Sequence, residues 1–287
     1  MILKDKYKGI IYIIISSISF GTMNMFIHMS GDLPSMQKSF FRNIIALIFA
    51  LFFIFKNKVP LKIKSGNLKY MILRATFGTI AIWCNFYAVD HLVLADASML
   101  QKMSPFCVVV FSYLVLKEKI SFIQLLSIII AFIGSMFVVK PTFVNMDLIP
   151  SLIGFMGGVM AGAAYTCIRA MGTRGENGTL IVCFFSAFSS LVVLPFFIIG
   201  YHPMSLNQLF LLVLGGVFAT IGQVTITAAY TYAPASEISI YDYSQILYSA
   251  IIGYIIFNQV SDIYSWIGYC IICTMAIVMF LYNNRKT

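Results

Sequence analysis

Two ionisable residues, Lys102 and Asp242, interrupt long apolar stretches of this sequence. Lys102 is the eleventh residue of its stretch, and Asp242 is the eighth residue of another. A charged side chain at the centre of a lipid bilayer costs roughly 2.5–3.5 kcal/mol on insertion scales. Residues at such a depth therefore pair with each other, bind a solute or transfer a proton. We expect both residues to take part in function, and a static buried ion pair is the alternative.

The residues around both charges are polar and aromatic. Gln101 precedes Lys102, and the segment 241–245 concentrates the polarity of its stretch. Tyrosine rings beside a carboxylate suit an organic amine or an aromatic solute through cation–π contacts and stacking. We therefore predict a solute-binding site with a polar frame and aromatic walls. The frame residues are Gln101, Lys102, Tyr241 and Asp242, and the wall residues are Trp83, Tyr87 and Tyr165.

Four further ionisable residues lie within apolar stretches or near their ends, namely Arg42, Arg74, Asp96 and Glu237. Three of them have a structural alternative: Arg74 and Glu237 can reach the membrane interface, and Asp96 can stabilise its own helix N-terminus. As functional groups they would couple or gate the site. We predict that Asp242 or Glu237 exchanges a proton or binds a cationic solute. A carboxylate inside an apolar span costs free energy that a structural role alone does not justify.

The sequence contains no motif for enzymatic chemistry. The three histidines are scattered without metal-ligand spacing, and the six cysteines fall inside apolar stretches. Motifs such as HExxH, a Walker loop and GxSxG do not occur. We therefore predict no catalytic residue, no metal site and no cofactor.

The elements that position these residues are membrane spans. Only 10% of the residues are charged and 60% are hydrophobic, with a mean hydropathy of +0.93. A soluble domain is about 25% charged, so this composition argues against a soluble, disordered or nucleic-acid-binding chain. A helix needs about 20 mostly apolar residues to cross a bilayer. Ten such spans are predicted: 9–29, 34–55, 68–89, 92–116, 120–139, 148–171, 179–199, 206–232, 235–258 and 262–282.

The basic residues predict the orientation of the chain, because cytoplasmic loops retain Lys and Arg. Most of the 19 Lys and Arg residues lie at one alternating set of span ends, which begins at residues 4–8 and includes 56–74. The other set holds only Lys38 and Lys140. We predict that both termini are cytoplasmic and that the chain is a multi-pass protein of the plasma or inner membrane. This distribution also accounts for the net charge of +9 without a nucleic-acid partner.

The chain contains a faint internal repeat. Residues 88–98 align with residues 229–239, and the match extends over five spans in each copy. Five is an odd number, so the second copy enters the membrane with the opposite polarity. Inverted repeats of this kind place a binding site near the bilayer midplane and allow one half to rock against the other. We predict repeats over 1–140 and 146–287.

Short motifs also occur in a characteristic order along nearly the whole chain. They are the segments 74–78, 86–88, 94–97, 104–105, 116–118, 165–169, 222–223 and 227–230, together with Gly268. In this order they resemble the drug/metabolite transporter superfamily, specifically its EamA-type ten-helix members. The resemblance implies a ten-helix secondary transporter of small organic solutes and does not specify one substrate.

We therefore expect an all-α membrane protein of ten transmembrane helices arranged as two inverted five-helix repeats. Its expected function is secondary active transport (import, export or exchange) of a small organic metabolite, such as an amino acid or a nucleoside-like compound, by alternating access. The expected partners are this substrate, the lipid bilayer and a coupled proton or counter-substrate, with the protein as a monomer or loose dimer. A non-transporting membrane receptor or a lipid-modifying enzyme is the alternative.

Overall fold

The computed structural model describes residues 2–91, 100–139, 148–257 and 262–285, and within these ranges every regular element is a helix. In chain order they are α1 (Ile2–Met29), α2 (Ser35–Lys56), α3 (Leu68–His91), α4 (Ser104–Leu116), α5 (Phe122–Val139), α6 (Leu148–Thr173), α7 (Gly178–Ile199), α8 (Leu206–Tyr232), α9 (Ala235–Ile238), a 3-10 helix (Ser239–Tyr243), α10 (Ser244–Phe257) and α11 (Ile263–Arg285). The predicted all-α fold class is confirmed.

Most of these helices have the length and the apolar composition of helices that lie in a lipid bilayer. Among the described helices, α1, α2, α6, α7, α8 and α11 are long and apolar enough to cross a membrane, and α4 and α5 are shorter apolar helices. Large apolar side chains remain on the outside, as Ile48, Leu191 and Ile251 show with 60%, 68% and 55% of their surface exposed. A contiguous apolar exterior requires lipid rather than water around it. The predicted multi-pass membrane location is confirmed.

Two spans are interrupted near their middle, where the sequence predicted the continuous helices 92–116 and 235–258. In the first, a turn at 102–103 precedes α4, and Pro105 occupies the first turn of that helix. Proline has no N–H group, so the carbonyl four residues earlier has no helical partner. In the second, the 3-10 helix Ser239–Tyr243 separates α9 from α10. Both interruptions leave backbone carbonyls that other groups must satisfy.

The helices pack in a pattern that is unchanged when the two halves of the chain are exchanged. Helix α1 packs on α8, just as α3 packs on α6. Helix α4 packs on α6, and its counterparts, the 3-10 helix and α10, pack on α1. Helix α2 lies against α7, and α5 lies against α11. This is the pairing that two similar five-helix repeats produce, and the cytoplasmic position of the termini stays a prediction.

Glycines on α6 allow the turn at 102–103 and the beginning of α4 to pack closely against α6. A Cβ atom at Gly162 would lie 2.5 Å from Cβ of Cys107, and one at Gly158 would lie 2.5 Å from the carbonyl oxygen of Leu100. No larger residue fits at either position without displacing the neighbouring chain. These contacts hold the turn at 102–103 against the centre of the molecule.

Candidate functional site

The fold brings the two costly charges into contact. The Lys102 ammonium lies 3.3 Å from Oδ2 of Asp242, 3.3 Å from the Asp242 carbonyl oxygen and 2.7 Å from Oε1 of Gln245. Both charged side chains are nearly buried, with 11% and 12% of their surface exposed. An ammonium group has three donors, and the three acceptors around Lys102 match them in number.

The pair also satisfies the backbone of the two interrupted spans. Lys102 donates to the Asp242 carbonyl of the 3-10 helix, and the Tyr243 hydroxyl donates to the Lys102 carbonyl at 3.2 Å. Ser17 of α1 donates to the Asp242 carbonyl and to Oδ1, both at 3.4 Å. The offset that aligns residues 88–98 with residues 229–239 in the predicted repeat also pairs Lys102 with Tyr243. Each break is therefore bridged by a side chain from the other half.

A cavity of about 170 Å³ adjoins this pair. It lies between the halves of the chain. Helices α1, α2 and α3 of the first half line it together with α6, α7, α8, the 3-10 helix and α10 of the second half. Its charged lining residues are Arg42, Arg74, Lys102 and Asp242, its amide residues are Asn24, Asn85, Gln101, Gln223 and Gln245, and its aromatic residues are Phe20, Tyr165 and Phe185. Across the described ranges, no group of three His, Cys, Asp or Glu side chains could hold a metal ion.

Two arginines, Arg42 and Arg74, line the cavity. The Arg74 side chain is buried with 3% exposure, and its guanidinium lies over the Phe185 ring, 4.0 Å from the ring centroid. The Nε atoms of Arg42 and Arg74 are both buried and have no hydrogen-bond partner among the residues that the structure describes. Within the described part of the chain, neither guanidinium forms a salt bridge. The sequence placed these arginines in coupling or gating, and the structure places them in the cavity wall.

Three residues of the predicted frame and walls line the cavity with Asp242. Lys102 and Gln101 lie at the turn before α4, and Oε1 of Gln101 has no hydrogen-bond partner in the described part of the chain. Tyr165 lines the cavity from α6, where it stacks on Tyr230 at a centroid distance of 5.1 Å.

Three other predicted residues lie away from the cavity. Trp83 packs edge-on against Phe196, which is 48% exposed, and Tyr87 is 38% exposed and stacks on His91. The reason is helix periodicity: Gly78, Ala81, Ile82 and Asn85 form the face of α3 that lines the cavity, and Trp83 and Tyr87 point elsewhere. Tyr241 is buried in the core with 8% exposure and does not line the cavity.

The remaining predicted residues lie outside this site. Glu237 borders a separate depression beside Lys119, Gln124 and Pro234. Asp96 lies outside the residues that the structure describes.

Sequence reasoning missed several lining residues, namely Asn24, Phe185 and Gln223. Asn24 and Gln223 could have been predicted in the same way as Gln101, because each is an amide side chain within an apolar span. Phe185 could not, because it is one of 26 phenylalanines and nothing in the sequence distinguishes it from the others.

Comparison with known proteins gives a consistent result. The family model described as the EamA-like transporter family matches residues 7–140 and 148–281. The pseudopaline exporter CntI of Pseudomonas aeruginosa (strain UCBPP-PA14) is 28% identical over 281 residues, which cover 97% of this chain and 98% of the exporter. Human solute carrier family 35 member G1 is 24% identical over 267 residues, which cover 88% of this chain and 73% of the carrier.

A solved crystal structure superposes on this chain with a TM-score of 0.83 at 12% sequence identity, and the match covers 97% of this chain and 98% of the other. At this identity the likeness shows the fold alone.

Proposed function

Because the chain belongs to the EamA-like transporter family, we propose that it is a secondary active transporter that moves a small organic metabolite through the cavity beside Lys102 and Asp242. One observation carries the proposal: a cavity with charged walls lies between two similarly packed halves, next to two interrupted spans. Interrupted helices at the interface of repeats are a recurring way to build a substrate site in transporters. The family and the names of the relatives indicate a transporter rather than an enzyme.

Two similar sets of polar contacts support alternating access. In the first, the Gln37 side chain donates to the carbonyl of His202 and accepts from its N–H, both at 3.0 Å. In the second, the Glu176 carboxylate accepts from the Lys64 N–H at 3.0 Å and from the Asn67 amide at 2.9 Å. We call these the Gln37 clamp and the Glu176 clamp.

The clamps occupy equivalent places in the two halves. Each joins the beginning of α2 or α7 to a loop of the other half, and α2 and α7 run side by side. Because the repeats are predicted to be inverted, the clamps lie at opposite membrane faces. Alternating access then consists of releasing one clamp while the other holds, with the Lys102–Asp242 pair joining the halves between them. Coupling to a proton or a counter-substrate stays a prediction.

The test is flux from proteoliposomes that carry the purified protein and are preloaded with labelled amino acids, nucleosides and carboxylic acids. Ile82 lines the cavity, whereas Ile80 lies on the same helix with 36% exposure and is not a lining residue. Ile82→Trp should block the release of the transported solute, and the matched Ile80→Trp variant should release it at the normal rate. If Ile82→Trp transports normally, the cavity is not the route. If a solute binds to the wild-type protein and is not released, the receptor alternative is favoured.

A further inference from the structure

The charges around the central cavity do not balance. Three cationic side chains line it, from Arg42, Arg74 and Lys102, and Asp242 is the one acidic lining residue among those that the structure describes. The Lys102 ammonium and the Asp242 carboxylate neutralise each other at 3.3 Å. Among the described residues, the two guanidinium groups therefore remain without a counter-charge. Arginine stays protonated in proteins, so the site carries two excess positive charges.

A third arginine, Arg169, has the contacts expected of an arginine with a structural role. Nε of Arg169 lies 2.6 Å from Oε1 of Glu118, and the side chains of this pair are 12% and 15% exposed. The Arg169 guanidinium also donates to the carbonyls of Tyr230 and Thr231. This arginine has a carboxylate and two carbonyl acceptors, whereas Arg74 is more deeply buried and, among the described residues, has the Phe185 ring in place of any such acceptor.

The surroundings of Arg74 hold the guanidinium toward the cavity. Its Nη1 atom lies against the α-carbon face of Gly78, where any Cβ would clash with it, and Phe185 covers the guanidinium plane. Stacking of this kind fixes the orientation of a guanidinium and leaves its edge free for hydrogen bonds. A planar guanidinium edge matches the two oxygens of a carboxylate or a phosphate.

We propose that the transported solute is a small organic anion with two negative charges, whose carboxylate or phosphate oxygens are bound by Arg42 and Arg74. This inference rests on the proposed transport function and specifies its substrate class. It departs from the cationic solute that the sequence suggested, because the Asp242 carboxylate is occupied by Lys102 and Ser17. The cavity of about 170 Å³ is smaller than the roughly 300–1,000 Å³ of drug-sized pockets, which suits a small metabolite.

The uncharged lining groups complete the site. Gln101 Oε1 and Gln223 Nε2 are buried and find no hydrogen-bond partner within the described ranges, and both residues line the cavity. Together they offer one acceptor and one donor, which fits a solute that carries hydroxyl or carbonyl groups between its acidic ends.

The binding test uses purified wild-type protein in detergent at constant ionic strength. Succinate, citrate and glycerol 3-phosphate serve as anionic probes, with alanine as the zwitterionic control and choline as the cationic one. At least one anion should raise the melting temperature in a saturable manner, and the comparison of succinate and citrate with glycerol 3-phosphate separates carboxylate from phosphate recognition. If none of the three anions binds, the assignment is overturned.

The variants separate a ligand-binding arginine from a structural one. Arg74→Gln and Arg42→Gln should each weaken anion binding about 10- to 100-fold, and Arg174→Gln, at an exposed arginine, should leave it unchanged. Without ligand, Arg74→Gln should melt at or above the wild-type temperature because it removes an unpaired charge, whereas Arg169→Gln should melt lower. Unchanged anion affinity together with a loss of stability in Arg74→Gln equal to that of Arg169→Gln would show a structural role and overturn the proposal.

Flux measurements distinguish this inference from the proposed function. Release of alanine or choline from proteoliposomes, with all three anions retained, overturns the anion assignment and leaves transport standing. Specific anion binding without flux supports the anion assignment and counts against transport.

Discussion

Replacing Asp242 with asparagine removes the only carboxylate that faces three cationic side chains in the described wall of the cavity. At 3.3 Å, the attraction between Lys102 and Asp242 amounts to about 5 kcal/mol at an effective dielectric constant of about 20. Loss of one partner of a buried pair typically destabilises by about 3–5 kcal/mol, because the other charge is left uncompensated. At about 2–4 °C per kcal/mol, Asp242→Asn should lower the melting temperature by roughly 6–20 °C.

The opposite change should cost less. Lys102→Met leaves the Asp242 carboxylate in a cavity that still contains Arg42 and Arg74, so this negative charge keeps cationic neighbours. Asp242→Asn instead leaves three cations that repel one another. We therefore expect Asp242→Asn to be the less stable of the two variants, and the double variant Lys102→Met/Asp242→Asn to regain part of the lost stability because it carries no unpaired member of this pair.

The assay is thermal unfolding of the wild type, both single variants and the double variant in one detergent at one salt concentration. Combined as a double-mutant cycle, the four values give the coupling energy of the pair. A coupling within about 0.5 kcal/mol of zero is what independent sites show. That result, or a greater loss of stability in Lys102→Met than in Asp242→Asn, would show that Asp242 does not balance the charge of the three cationic side chains.

Three further predictions concern orientation, gating and packing. A cysteine at Asp32 should be labelled from outside intact cells by an impermeant thiol reagent and one at Ser65 should be protected; the reverse pattern would invert the topology. Gln37→Ala and Glu176→Ala each remove one clamp, so they should change the labelling of a single cavity cysteine in opposite directions when the reagent is added from one side. Equal changes in both would contradict two clamps at opposite faces. Gly162→Val places side-chain atoms where even a Cβ would lie 2.5 Å from Cβ of Cys107, and it should destabilise by about 1–3 kcal/mol; an unchanged melting temperature would show that α4 can move away from α6.

Several features of the fold could be predicted from the sequence because they depend on local composition and on bilayer thickness. The apolar length of a span follows from the thickness of the hydrocarbon core, and this rule located helices such as α2, α7 and α8 within a few residues of their ends. The cost of charge at mid-depth marked Lys102 and Asp242 as residues in need of partners. A direct contact between Lys102 and Asp242 was one of the arrangements expected from this cost.

The interruptions of two spans could not be predicted from hydropathy. Apart from Glu237 near its start and its polar run at 241–245, the segment 235–258 is mostly apolar, and its hydropathy predicts one continuous helix. The structure replaces its middle with a 3-10 helix, whose Asp242 carbonyl accepts hydrogen bonds from Lys102 and Ser17. These partners lie far away in sequence, so no local pattern indicates them.

The sequence also did not predict which face of each helix points toward the cavity. In a soluble helix the apolar stripe marks the core, but lipid is as apolar as a protein interior. Trp83 and Tyr87 were therefore as plausible as Ile82 and Asn85 for the cavity wall, although only the latter two line it.

The sequence by itself determined that this chain is a ten-span, repeat-built membrane protein, because hydropathy, loop charge and internal similarity are properties of the chain read in order. Tertiary structure alone decided the electrostatics of the site. Which of Arg42, Arg74 and Arg169 obtains a carboxylate depends on helices from both halves meeting in three dimensions, and only Arg169 has one among the described residues. The charge balance of a cavity depends on which charged side chains are neighbours in space, and the order of residues along the chain does not specify these neighbours.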